Sequence, residues 1–205
     1  MTDNKSALAV VETAMSAALT QYERTMGKDF PTVPRLALDD DKAFWAEAQL
    51  NGTECVITVT EGLVAAVGRL WADIFEQGST IPGTVEDMIH NSLVWLILHE
   101  LHHYEMGHFA FTGKLRRTEA KDPNSFGAIQ RASETRLPAL QLIDENVVAK
   151  VEPCLELQAD HDATEMLLDA YSADRWDIIR ERVTAITGMM VLIERADAKL
   201  GHILS

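Results

Sequence analysis

Residues 93–108 read LVWLILHELHHYEMGH, and this stretch decides the fold of the chain. It begins with six apolar residues in a row and then becomes rich in histidine and glutamate. A proline–glycine break precedes it, and Thr84, with Asp87 three residues later, resembles a capping box. The sequence therefore predicts a helix that runs to about Gly107 and carries several apolar residues into the core: Met88, Ile89, Leu93, Leu96 and Ile97.

Within this helix, His99, Glu100 and His103 satisfy the pattern H-E-x-x-H. Residues four apart share one face of a helix, so the two imidazoles can present nitrogen atoms to a single ion. Glu100 is turned about 100° from His99 by the helical period, so it can reach a water on the ion without being a ligand. Neutral imidazole suits zinc. The motif therefore predicts a Zn2+ site with Glu100 as the catalytic base.

A catalytic zinc site needs a third protein ligand and an open position. If His108 belonged to the pattern H-E-x-x-H-x-x-G-x-x-H, glycine and histidine would stand at positions 105 and 109, where the sequence has glutamate and phenylalanine. Glu156 and Asp160, four apart on a later predicted helix, share a face. We expect Glu156 to complete the metal site and Asp160 to accept an N–H from a ligating histidine. The small Ala159 lets the two helices approach closely.

The rest of the chain is predicted to form further helices and one hairpin. Asn51-Gly52 is a strong turn signal between residues 43–50 and the β-branched residues 53–60, and it indicates a β-hairpin. Prolines 31 and 34 indicate a loop, and the polar residues 116–133 indicate a long one. Pro153 is expected at a kink or in the first turn of a new helix. Helices are predicted over residues 6–26, 62–75, 137–151, 153–171 and 174–200.

Composition narrows the class of protein. We expect one domain over residues 1–205, of the α+β class and mainly helical, with a small hairpin or sheet packed on the helix that carries the motif. The net charge of -14 argues against nucleic-acid and anionic-membrane partners. Residues 93–98, the most apolar stretch, are too short to cross a bilayer. The two cysteines indicate no disulfide framework, and a reducing cytoplasm is the default location.

Several of these motifs together resemble the gluzincin zinc metallopeptidases. The H-E-x-x-H element, followed on a later helix by Glu156-x-x-Ala159-Asp160, resembles the heat-shock and prenyl-protein type of zinc peptidase, and residues 56–64 are similar to their strand-to-helix passage. The extra histidine soon after the motif, His108, resembles the soluble phage-exclusion peptidases of the Lit type. The resemblance covers about residues 56–168. It implies a zincin-like fold and an endopeptidase that acts on a protein or peptide substrate.

The implied mechanism is metal-assisted hydrolysis, with Glu100 passing a proton from water to the leaving amine. The developing oxyanion needs a further donor, for which His161, Tyr104 and His108 are the candidates. His161 is taken as a catalytic residue because it follows Asp160 directly. His108 lies about half a turn from His99 on a straight helix, so it reaches the metal side only if the helix ends near Gly107.

Two other functions are compatible with these residues. One is a zincin-fold binding or sensing module in which the metal is structural and activity is low. The other is a di-iron carboxylate helical protein, because Glu100-x-x-His103 is also an E-x-x-H motif. Such a protein needs the motif on two helices, and the other match, Glu105-x-x-His108, lies on the same one. Residues 53–60 could also serve as an edge strand on which an extended peptide adds.

Overall fold

The computed structural model describes residues 4–51, 54–108, 132–133, 145–168 and 175–203. Its helices are α1 Asn4–Met26, α2 Glu61–Glu76, α3 Val85–Glu105, α4 Glu145–Leu168 and α5 Trp176–Ile203. Its strands are β1 Arg35–Asp39, β2 Ala46–Asn51, β3 Glu54–Thr60 and β4 Ala132–Ser133. The predicted α+β, mainly helical class is confirmed. Among the described helices, none combines the length and apolar character that crossing a membrane requires.

Helix α3 is the central element of the fold. The predicted capping box starts it: the Thr84 hydroxyl accepts from the Asp87 N–H at 3.1 Å, and the Asp87 carboxylate accepts from the Thr84 N–H at 2.9 Å. Residues 91–103 are then buried without a break. Helices α1, α2, α4 and α5 and strands β2 and β3 all contact α3. The apolar run is therefore buried on every side of the helix, rather than along one amphipathic face.

The sheet has the strand order β1-β3-β2-β4. Strands β2 and β3 pair antiparallel, with Asn51 opposite Glu54, which confirms the predicted hairpin. Strand β1 was not predicted, because the two prolines before it indicated a loop; its residues pair in parallel with β3, Arg35 opposite Val56. Strand β3 is thus bonded on both sides. The prediction that residues 53–60 form an edge strand for a peptide is wrong, since β1 and β2 already occupy both edges.

Helix α4 replaces two predicted helices. Pro153 was expected at a kink or in the first turn of a new helix, and the structure has one helix from Glu145 to Leu168 with Pro153 inside it. A proline inside a helix removes one backbone hydrogen bond, and the burial of Leu155, Ala159 and Ala163 on this helix offsets that cost. Residues 137–144 and 169–171 of the predicted helices lie outside the described residues. So do residues 116–131 of the predicted long loop, whereas residues 132–133 form β4 and pair with β2.

Close packing joins α5 to α2 beside the central helix. Gly188 of α5 lies against the fully buried Trp71, whose indole Nε1 donates to the Ser92 hydroxyl of α3 at 3.0 Å. A Cβ atom at position 188 would lie 2.3 Å from Cζ2 of Trp71. Gly68 of α2, in contrast, has open space where a Cβ would be built. Only the first of these two helical glycines is required by packing.

We expect Gly188→Ala to lower the free energy of unfolding by about 1–3 kcal/mol, because a buried indole held by a hydrogen bond has little room to move. The matched Gly68→Ala change should raise it by up to about 1 kcal/mol through helix propensity alone. Urea unfolding followed by circular dichroism measures both. Equal effects of the two substitutions would contradict this packing.

Candidate metal centre

Three side-chain contacts, each one helical turn from the next, join α3 to α4. They pair Trp95 with Thr164, His99 with Asp160 and His103 with Glu156. Each step of four residues along α3 is matched by a step of four in the opposite direction along α4, so the two helices run antiparallel in one register. Ala159 and Ala163 are fully buried and allow the helices to approach closely. This register brings the candidate ligands together.

His99, His103 and Glu156 form a group that could hold a metal ion, with one ligand atom from each within 4.8 Å of the others. The two Nε2 atoms are 2.9 Å apart, and Oε2 of Glu156 lies 3.4 Å from the first and 3.7 Å from the second. Two ligands bound at about 2.0–2.1 Å to a tetrahedral ion lie about 3.3 Å apart. The three measured separations bracket that value, so the residues fit a zinc ion of this geometry.

The three members differ in how far water can reach them. The side chains of His99 and His103 are 1% and 0% exposed, whereas that of Glu156 is 31% exposed. Within the described part of the chain, the group contains three ligands. Structural zinc sites take four protein ligands and catalytic ones three, with the fourth position left for water or substrate. Among the described residues the group therefore offers three ligands, and its carboxylate member is the one that water reaches.

Asp160 lies behind the ligand His99. Its Oδ1 is 2.8 Å from Nδ1 of His99, the ring nitrogen opposite the one that faces Glu156. The two atoms are at hydrogen-bond distance, although the carboxylate oxygen lies off the direction of a ring N–H. A carboxylate in this place holds the proton of a ligating imidazole on Nδ1 and leaves Nε2 free for the metal. The structure places Asp160 beside His99, and its orienting role stays a prediction.

Glu100 follows the first ligand and is fully buried. The pKa of the Cys55 thiol, on β3, is raised to about 12, mainly because the thiol is buried. The negative charge of the Glu100 carboxylate is the second cause. The Glu100 carboxylate therefore lies near the sheet. Among the described residues it is not a member of the ligand group. The role of Glu100 as catalytic base stays a prediction.

The three residues considered as oxyanion donors lie in different surroundings. The hydroxyl of Tyr104 is 3.2 Å from the Thr32 hydroxyl, in the segment between α1 and β1. The side chain of His161 is 63% exposed and lies beside Asp162 at 3.2 Å. His108, in contrast, is buried against the ligand His103. The oxyanion role of these residues and the catalytic role of His161 stay predictions.

The contact between Trp95 and Thr164 was not predicted from the sequence. Trp95 precedes His99 by four residues, and Thr164 follows Asp160 by four, so each lies on the ligand-bearing face of its helix. The pair could have been predicted by continuing the four-residue spacing one turn further along both helices. The neighbouring His102 is buried, with Nδ1 2.7 Å from the Leu98 carbonyl oxygen.

We expect Asp160→Asn to weaken zinc binding by about 10–100-fold, because the carboxylate that orients His99 is lost while its shape is kept. Zinc affinity is measured by competition with a chromophoric chelator. The control is Asp162→Asn, which removes the same charge beside the exposed His161. Wild-type affinity in the Asp160 variant, or an equal loss in both, would rule out the orienting role.

Comparison with known proteins identifies no relative of this chain. No family model, curated protein or solved structure matches the chain. The assignment of the site therefore rests on the geometry of α3 and α4 and on the motif that they carry.

Proposed function

We propose that this protein is a zinc-dependent endopeptidase. In this proposal His99, His103 and Glu156 hold one Zn2+, and Glu100 is the general base. The observation that carries it is the convergence of two buried Nε2 atoms and one carboxylate oxygen at separations of 2.9, 3.4 and 3.7 Å, within the pattern H-E-x-x-H. The substrate class that follows is a protein or peptide.

When bound, zinc would polarise the scissile carbonyl group and lower the pKa of a coordinated water towards about 7. The chain supplies the remaining chemistry. The Glu100 carboxylate accepts a proton from the attacking water and returns it to the leaving amine. Asp160 keeps the His99 ring in the orientation that points Nε2 at the site. Burial of both imidazoles strengthens every electrostatic interaction within the site, because little water screens them.

The di-iron alternative finds less support in the geometry. A second metal would need a further E-x-x-H pair on another helix, facing the first. Glu105 instead hydrogen-bonds the Tyr22 hydroxyl of α1 and lies 3.1 Å from the Lys28 ammonium group. His108 contacts His103, the histidine of the first E-x-x-H pair. Within the described residues the geometry therefore favours one ion over two.

The purified protein is expected to contain one zinc ion per chain, measured by elemental mass spectrometry. Glu100→Gln should keep that zinc and lower the rate of peptide cleavage by about 10²–10⁴-fold, because the proton acceptor is lost while the ligands stay. Glu156→Gln should lower zinc content as well as cleavage. Cleavage is followed by mass spectrometry on a peptide mixture made from a digested proteome.

The control is Glu86→Gln, which makes the same change at an exposed position in the first turn of α3. It should cleave at the wild-type rate. Two iron ions per chain would favour the carboxylate bundle instead. Bound zinc without cleavage of any peptide would favour a binding or sensing module, and full activity of Glu100→Gln would contradict the proposed mechanism.

A further inference from the structure

The end of α3 brings a third histidine into contact with the metal group. The helix ends at Glu105, and Gly107 adopts a left-handed conformation with φ of 65°. On a continued helix, residue 108 would lie about 140° around the axis from residue 103. The turn at Gly107, which glycine adopts without strain, instead folds the chain back over the last turn of α3. His108 is thereby 1% exposed and its ring centroid is 4.8 Å from that of His103.

The contact involves one particular nitrogen of each ring. Nδ1 of His108 lies 2.6 Å from Nδ1 of His103, while Nε2 of His103 faces His99 and Glu156. An imidazole that binds a metal through Nε2 is neutral and carries its proton on Nδ1. That N–H points at His108, whose Nδ1 must then offer a lone pair. Two N–H groups could not face each other at this distance.

We propose that His108 is a positioning residue for the metal site, accepting the Nδ1–H of His103 so that Nε2 of that ligand is fixed towards the ion. This inference rests on the proposed zinc site and adds to it. Oδ1 of Asp160 lies 2.8 Å from Nδ1 of His99, and Nδ1 of His108 lies 2.6 Å from Nδ1 of His103. Each imidazole ligand therefore has its own orienting partner, a carboxylate from α4 for one and an imidazole after α3 for the other.

The contact with His103 also argues against His108 as the oxyanion donor. In this proposal Nδ1 of His108 accepts the N–H of His103, so it cannot at the same time donate to an oxyanion. In this tautomer the proton of His108 is on Nε2, away from His103. His108 thus acts on catalysis through the metal ligand, and its removal should change metal affinity even when no substrate is present.

The test measures zinc affinity of the full-length protein by chelator competition, with zinc alone as the ligand. His108→Leu, which fills the space without an acceptor, should weaken binding by about 10–100-fold. His108→Asn places an amide oxygen close to the position of Nδ1 and should restore affinity close to the wild-type value. The control is His102→Leu, a buried histidine of the same helix end that hydrogen-bonds the Leu98 carbonyl, and it should leave affinity unchanged.

A second readout applies to the wild type and does not depend on how the variants fold. In zinc-loaded protein, long-range proton–nitrogen NMR spectra should show a proton on Nδ1 of His103 and none on Nδ1 of His108. A proton on Nδ1 of His108 would overturn the inference, as would equal affinity of His108→Leu and wild type, or equal losses in His108→Leu and either His108→Asn or His102→Leu. Failure of the wild type to bind zinc would overturn the proposed function itself.

Discussion

The antiparallel register of α3 against α4 determines which side chains meet at the candidate metal centre. A shift of one residue along either helix would turn the ligand face by about 100° and separate the histidines from the carboxylates. The hydrogen bond from Trp95 to Thr164 holds this register one turn away from the ligands, at 3.0 Å and partly buried. The buried Ala159 and Ala163 keep the helices near enough for short side chains to meet.

The burial of polar side chains on α3 opposes folding. Burial of an imidazole or a carboxylate away from water is unfavourable unless partners satisfy it. Here α3 is surrounded by four helices and the sheet, and it still buries both imidazoles and Glu100 at its C-terminal half. Carboxylates from α4 and His108 lie against the two imidazoles, and a divalent cation between them would add the charge that the donor set lacks. Stability and metal binding are therefore expected to be coupled.

Much of the site could be predicted from four-residue spacing, because a helix turns such spacing directly into a shared face. The motif on α3 and the pair Glu156 and Asp160 on α4 were found in this way, and the structure brings them together. Strand β1 could not be predicted from the sequence, because it is stabilised by pairing with β3, which lies far along the chain. The two prolines before it indicate a loop instead. The placement of His108 depends on a left-handed turn at Gly107, which helical periodicity does not encode.

We propose that one ion lies between the two helices, held by two imidazoles and one carboxylate. The most direct measurement is a crystal structure of the zinc-loaded protein with anomalous data collected at the zinc absorption edge. We expect a single peak about 2.0–2.2 Å from Nε2 of His99, Nε2 of His103 and a carboxylate oxygen of Glu156. A peak coordinated by other residues, or a site in which Glu156 lies beyond bonding distance with no carboxylate in its place, would contradict it.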